Sequence, residues 1–178
     1  MPMKTYPLLL AALLGLSQCK KKSDPAPVDQ LPPITQTGAN TFGCLVNGQA
    51  WMPKGYNGTS NYSVSYDKGI NGGIFSLQTY RYPDASNTFQ SIALDVRSNL
   101  QVGSYSFQNP QRTRAVFNDT GRCYWSSADS ATIYRRGTLT ISRLDLQAGI
   151  ISGTFAFTLY KPGCDSIRVT QGRFDKKL

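Results

Sequence analysis

The segment Ile150 to Tyr160 alternates without a break, with Ile151, Gly153, Phe155, Phe157 and Leu159 on one side and Ser152, Thr154, Ala156 and Thr158 on the other. A period of two belongs to a strand with one face in a core and the other toward water. The same period returns along the chain, and after residue 19 no stretch carries the 3.6-residue period of an amphipathic helix. Gly, Asn, Asp and Pro divide the alternating pieces. Strands are expected at Thr41 to Val46, Gln49 to Met52, Tyr62 to Tyr66, Ile74 to Arg81, Phe89 to Val96, Ser104 to Phe107 and Arg114 to Phe117. The last third adds Thr138 to Leu144, Ile150 to Tyr160 and Ser166 to Asp175. Asn47-Gly48 supplies the two positive-φ positions of a tight hairpin, and Gln147-Ala148-Gly149 and Pro162-Gly163 supply further turns. Gly153 and Gly172, inside strands, mark bulges or close backbone approach. The pattern predicts an all-β domain, an antiparallel β-sandwich or flattened barrel of about eight to ten strands.

The chain before this domain reads as an address. Lys4 gives a positive start, Leu8 to Leu16 an apolar run, and Ser17-Gln18 a small and polar approach to Cys19. About ten apolar residues fall short of the roughly 20 that a helix needs to cross a bilayer. An export signal over residues 1–18 is therefore expected. Leu16-Ser17-Gln18-Cys19 resembles the lipobox of bacterial lipoproteins, in which the cysteine thiol is acylated before cleavage. Gln18 departs from the usual small residue and leaves ordinary signal cleavage as the alternative. Lys20-Lys21-Lys22, then Pro25, Pro27, Pro32 and Pro33, predict an extended, flexible tether over residues 19–40. The domain proper is expected over residues 41–178, about 138 residues, enough for one core.

Nineteen Lys and Arg against ten acidic residues, all of them Asp, leave a formal charge of +9, and there is no His. A basic exported domain attracts acidic glycans, lipopolysaccharide phosphates or an envelope protein of opposite charge. The basic residues are scattered and no nucleic-acid-binding motif accompanies them, so nucleic acid is not an expected partner.

With Cys19 committed to lipid, Cys44, Cys123 and Cys164 leave one bridge and one thiol. Cys44 with Cys164 is the expected pair among three, tying the first strand to the last hairpin. Closing a loop of about 100 residues in this way contributes roughly 4 to 5 kcal/mol.

Phe42-Gly43-Cys44-Leu45-Val46-Asn47-Gly48-Gln49-Ala50-Trp51 opens the domain. Gly137-Thr138-Leu139-Thr140-Ile141, Ile151-Ser152-Gly153-Thr154-Phe155-Ala156-Phe157 and Gln171-Gly172-Arg173-Phe174-Asp175 close it. Together these resemble a family of Bacteroidota lipoproteins of unknown function. The resemblance implies a β domain at the outer membrane and a looser lipobox, and it carries over no activity.

Catalytic chemistry has little to work with. Without His neither a Ser-His-Asp arrangement nor a zinc hydrolase motif can be built. Within the domain an acid–base pair would have to come from Asp67, Asp84, Asp95, Asp119, Asp129, Asp145, Asp165 and Asp175, and most of these are expected in turns where Asp bonds its own backbone. Asn71-Gly72-Gly73 has no following helix and is no phosphate loop. No catalytic residue, metal site or cofactor is expected. Tyr62, Tyr66, Tyr80, Tyr124 and Trp125 are candidate ligand-facing aromatics. Ser130 and Ser166, in Asp129-Ser130-Ala131 and Asp165-Ser166-Ile167, are similar to the Bacteroidota O-glycosylation acceptor. The expected protein is a membrane-anchored envelope lipoprotein at the outer membrane or cell surface, on its periplasmic or outer side, with a non-enzymatic β domain that binds a ligand or supports another component. The alternatives are a lipocalin-like carrier of an apolar ligand and a small hydrolase using an Asp pair.

Overall fold

The computed structural model describes residues 24–69, 72–83 and 88–178. The export signal and Cys19 lie outside the described residues. Two antiparallel sheets face each other as a sandwich. The strands are β1 (Thr41–Val46), β2 (Gln49–Trp51), β3 (Tyr62–Asp67), β4 (Ile74–Arg81), β5 (Gln90–Arg97), β6 (Gly103–Ser106), β7 (Thr113–Asp119), β8 (Cys123–Ser126), β9 (Tyr134–Asp145), β10 (Ile150–Tyr160) and β11 (Ile167–Lys177). The larger sheet runs β2-β1-β11-β10-β9-β6 and the smaller β3-β4-β5-β7-β8. The first strand pairs with the last, so the two ends of the domain meet in one sheet.

The β10 alternation places Ile151, Phe155, Phe157 and Leu159 toward the opposite sheet, where all four are buried. Phe75, Leu77, Ile92, Leu94 and Phe117 meet them from the smaller sheet, and side chains occupy the space between the sheets. Rings join the two sheets, with Phe42 of β1 against Tyr62 of β3 at 5.6 Å and Phe75 of β4 against Phe174 of β11 at 6.1 Å, while Phe42 stacks on Phe155 within the larger sheet at 5.4 Å. Gly153 and Gly172 are where backbone and ring come closest. A Cβ on Gly153 would lie 2.2 Å from the Thr140 carbonyl, and one on Gly172 would lie 2.5 Å from the Phe155 ring. The β9–β10 register shifts at Ser152/Gly153, so the glycines mark close approach and irregular pairing as expected. Asn47 and Gly48 both take positive φ, 48° and 82°, the backbone that the hairpin turn requires.

Three features depart from the sequence reading. β8 is an additional strand: it is short, lies at a sheet edge and follows the Asp119 to Gly121 turn. β9 begins at Tyr134, because β10 pairs with it in register down to Tyr160↔Tyr134 although Arg135-Arg136-Gly137 show no alternation. The third departure concerns the expected tether. A 3₁₀ turn, Pro27–Gln30, leads into a segment that lies against the outer face of the larger sheet. Leu31 is buried, and Pro32 covers Gly43, where an added Cβ would stand 2.7 Å from the proline ring. The Arg143 guanidinium donates to the Gln36 carbonyl at 2.5 Å and Arg173 to that of Pro32 at 3.3 Å.

The fastening is Asp175, only 1 % exposed. Its Oδ2 accepts from Thr35 Oγ1 (2.7 Å), Thr37 N (2.9 Å) and Ala39 N (3.0 Å), with Thr37 Oγ1 at 3.4 Å. Its Oδ1 accepts from Gly38 N (2.9 Å) and Ser152 Oγ (2.7 Å). Composition marks residues 31–39 as polar and proline-rich, and it holds no sign that their donors converge on a carboxylate more than 130 residues away. Burial works to raise the Asp175 carboxyl, but the hydrogen bonds from Ser152, Ala39, Thr35 and Thr37 outweigh it and hold the group well below the usual carboxylate range.

A carboxyl whose pKa is depressed by folding stabilises the native state above its unfolded value and loses that contribution as pH falls through the folded one. Stability should therefore decline below about pH 4, with the strap loosening first. Asp175→Asn keeps the shape but turns an amide N–H₂ toward donors, and should cost about 3 kcal/mol. Hydrogen exchange at Thr37, Gly38 and Ala39 checks this: their amides should be protected in the wild type and exchange freely in the variant. Unchanged protection would show that the strap is held by something else.

Candidate functional site

The β1–β2 turn, the β7–β8 turn, the β10–β11 loop and the paired ends of β4 and β5 at Arg81↔Gln90 gather at one end of the sandwich. Between them opens a cleft of about 470 Å³, within the roughly 300–1,000 Å³ range of small-molecule sites. Phe117 and Trp125 form its apolar wall, and Arg81, Gln90, Asp119 and Arg122 bring polar groups.

Arg81 is the organising side chain. It ends β4, and its guanidinium carbon lies 5.3 Å from the ring centre of the fully buried Trp51. Its Nε donates to Gln90 Oε1 at 2.9 Å and its Nη1 to the Ala50 carbonyl at 3.2 Å. Gln90 Oε1 also accepts from Trp51 Nε1 at 3.1 Å, and Gln90 Nε2 donates to Asp119 Oδ2 at 3.1 Å. Trp51, Gln90 and the Ala50 carbonyl thus hold Arg81 by neutral groups, with the Asp119 carboxylate one hydrogen bond further on, and among the described residues no carboxylate forms an ion pair with it. Burial pulls the guanidinium below its usual pKa, with Cys44 and Asp119 acting the other way. Arg122, on the β7–β8 turn, is exposed.

The disulfide corrects the expected pairing. Cys123 and Cys164 are bonded, with Cα atoms 6.2 Å apart, and Cys44 is free. Cys44 cannot reach Cys164 because it faces the core from within the larger sheet, paired with Trp51 across β1–β2 and wholly buried. Burial pushes its thiol well above the ordinary value despite Arg81 and Arg173 nearby, so it is a core side chain. Cys123 starts the edge strand β8 and Cys164 sits in the β10–β11 loop, both in the cleft wall. The bridge staples the two sheets together where the sandwich is open.

The five candidate aromatics do not converge. Tyr62 lies in the core, its hydroxyl 3.5 Å from the Asp175 carbonyl, and burial with the Asp175 charge pushes its phenol up. Tyr66 Oη accepts from Leu100 N at 3.2 Å and donates to Asn99 at 3.4 Å, fixing the loop after β5. Tyr124 is exposed on β8. Trp125 alone lines the cleft, its indole donating to the Asp165 carbonyl at 2.8 Å. Tyr80 faces the other side of the smaller sheet. Ser130 and Ser166 are both exposed, the second on the cleft wall.

Three of the candidate aspartates do turn duty: Asp67, Asp129 and Asp145 accept from the backbone N–H of Gly69, Ala131 and Ala148. Asp95 pairs with Arg114 at 2.6 Å, and Asp84 lies outside the described residues. Asp119 and Asp165 share the cleft. Among the described residues no three Cys or Asp side chains cluster as metal ligands. Sequence reasoning missed Arg81, Gln90 and Trp51. Their one signal is register, since Arg81↔Gln90 closes the β4–β5 pair.

Residues 84–176 match the family described as Domain of unknown function (DUF6252), a little over half of the chain. The chain belongs to the DUF6252 family. Comparison with curated proteins and with solved structures returned no match. The span shared with DUF6252 runs from the β4–β5 connection through most of β11, so it includes Asp119, the disulfide and Asp175. Arg81, Trp51 and the strap precede it.

With the bonded cysteines 41 positions apart, the bridge contributes about 4 kcal/mol in the chain-entropy picture. Cys123→Ser with Cys164→Ser should lower the unfolding free energy by about that amount in denaturant titrations, while Cys44→Ala costs about 1 to 2 kcal/mol as a small core truncation. Peptide mapping that recovers Cys44 in a cross-link would contradict the assignment.

Proposed function

We propose that this DUF6252 protein is a lipid-anchored envelope lipoprotein whose β domain is a non-enzymatic binding module, taking an acidic glycan in the hairpin-end cleft. The observation that carries the reading is Arg81. It is a half-buried guanidinium with no carboxylate ion pair, held in place by Trp51, Gln90 and Ala50 at the edge of an open cleft. Such a group has lost part of its hydration and gains most from an anionic ligand that restores it. Arg122 adds a second cation at the mouth, and Asp119 and Asp165 offer acceptors to sugar hydroxyls. A side-chain-filled interior favours this surface site over a lipocalin-like carrier.

The place rests on the export pattern, the lipobox-like Leu16-Ser17-Gln18-Cys19 and the resemblance to Bacteroidota lipoproteins. Two or more acyl chains at about 0.8 kcal/mol per buried methylene hold a protein firmly at a membrane. The strap docks from Leu31 onward, and the twelve residue steps from Cys19 to Leu31 could span at most about 40 Å. The domain would work close to the outer-membrane surface.

A hydrolytic reading has one observation in its favour, the shared position of Asp119 and Asp165. The same experiment separates the two. Titration of oligogalacturonate into the exported domain should give binding that weakens steeply as salt rises from low to physiological. Arg81→Gln and Arg122→Ala should each weaken it about tenfold, the worth of a lost charge-assisted hydrogen bond. No binding of oligogalacturonate or lipopolysaccharide by the folded domain refutes the proposal. Release of reducing ends that disappears in Asp119→Asn supports the hydrolase instead. In the host, Cys19→Ser should move the protein from the membrane to the soluble fraction. A variant that stays with the membrane argues against the anchor.

A further inference from the structure

A second groove lies on the outer face of the smaller sheet, away from the cleft, and its chemistry is different. It encloses about 420 Å³, and none of its lining residues is Lys, Arg or Asp. Its aromatic wall is Tyr80 and Phe89. Tyr82 packs against both rings from outside the groove, with centroids 5.7 to 5.9 Å apart in the cluster. Tyr80 is held rigidly, its Oη 2.7 Å from both Asn57 Oδ1 and the Thr59 carbonyl and 3.2 Å from Asn57 N. The floor is made of small or polar residues in cross-strand register, Ser63↔Gln78↔Ala93, with Tyr80↔Ser91 in the next row. Gln78 and Ser63 are exposed. Among the described residues the hydroxyls of Ser63 and Ser91 have no protein partner.

From this geometry we infer that the groove is a binding site for a neutral saccharide, distinct from the charged cleft. A sugar has an apolar C–H face and a rim of hydroxyls, each of which donates and accepts. The half-exposed Phe89 ring, backed by Tyr80, offers a hydrophobic face to the first. The Gln78 amide and two hydroxyls, set at the roughly 5 Å strand spacing, offer paired donors and acceptors to the second. The fixed Tyr80 and the strand-borne floor are already ordered, so binding orders few side chains. A charged ligand finds no counter-charge there and would lose hydration without return. An apolar ligand would bury Gln78, Ser63 and Ser91 unpaired.

The test uses the exported domain and four neutral probes, cellohexaose, maltohexaose, mannohexaose and xylohexaose, each at up to about 10 mM. Backbone amide shifts in ¹⁵N spectra should move at Ser63, Gln78 and Ser91 with at least one probe. The affinity should change by less than about twofold between low and high salt, since no ion pair forms. Phe89→Ala and Gln78→Ala should each weaken it about tenfold. Because Phe89→Ala disturbs the ring cluster, Ser63→Arg provides the second variant: it fills the groove from an exposed floor position and should abolish binding in a domain that still melts cooperatively. Arg81→Gln should leave this binding unchanged, which separates it from the cleft. The inference is overturned if none of the four probes shifts these amides, or if binding survives Ser63→Arg.

Discussion

Asp175 stands on β11, the strand shared by both pairings that close the larger sheet, and its carboxylate is where the chain ahead of β1 is fastened. An ionised carboxylate removed from water costs several kcal/mol unless its lone pairs are filled. Here they are filled by hydroxyls and amides alone, five from the strap and one from Ser152, and among the described residues no Lys or Arg forms an ion pair with it. Successive backbone N–H groups curled round an anion act as a positive pole without a formal charge. Ser152 and Gly43 on the outer face are covered only because the strap lies over them. The position of β1 follows as well, since Ala39 and Asn40 lead directly from this cradle into Thr41.

The two ends of the sandwich are consequently different in kind. One is closed by the strap and by short turns such as the β9–β10 connection, where Asp145 caps the backbone. The other is open, and its hairpins would be free to spread but for a covalent link between the sheets. With the bridge at the open end, the cleft keeps its width while its floor carries polar groups that a packed core could not tolerate. Arg81 illustrates the compromise. It is buried enough to lose hydration, yet its partners are a ring face, an amide and a carbonyl, none of which neutralises it.

How much of this is legible in the sequence depends on the range of the interaction. Period-two alternation is local, and it locates β1, β4, β5 and β10 closely because the hydrophobic face and the turn residues agree. β8 hides because a four-residue edge strand has too few positions to show a period, and the start of β9 hides because its pairing is imposed by β10. The disulfide, the strap and Arg81 are long-range facts. Cys44 looks like a partner for Cys164 until register shows it facing inward beside Trp51. Residues 31–39 look like a linker because Leu31 and Ile34 are their only large apolar side chains amid Pro, Thr, Gln and Gly, whereas their order comes from donors converging on one distant carboxylate. Composition measures what a segment can bury, and it is silent about a single acceptor that gathers its amides.

The cleft and the outer groove also share a cause that alternation makes inevitable. Tyr80 and Arg81 are neighbours on β4, and so are Gln90 and Ser91 on β5. Neighbours in a strand point to opposite faces. Tyr80 and Ser91, directly paired, therefore serve the charge-free groove. Arg81 and Gln90, the next pair along the same ladder, serve the charged cleft. Two surfaces with opposite chemistry are thus built back to back on one strand pair, with a single layer of backbone between them. Each strand can be polar at its end on both faces because the core stops short of this pair, at Trp51 and Phe117. The same geometry that exposes Arg81 to an anion keeps that charge away from the rings and hydroxyls on the other side.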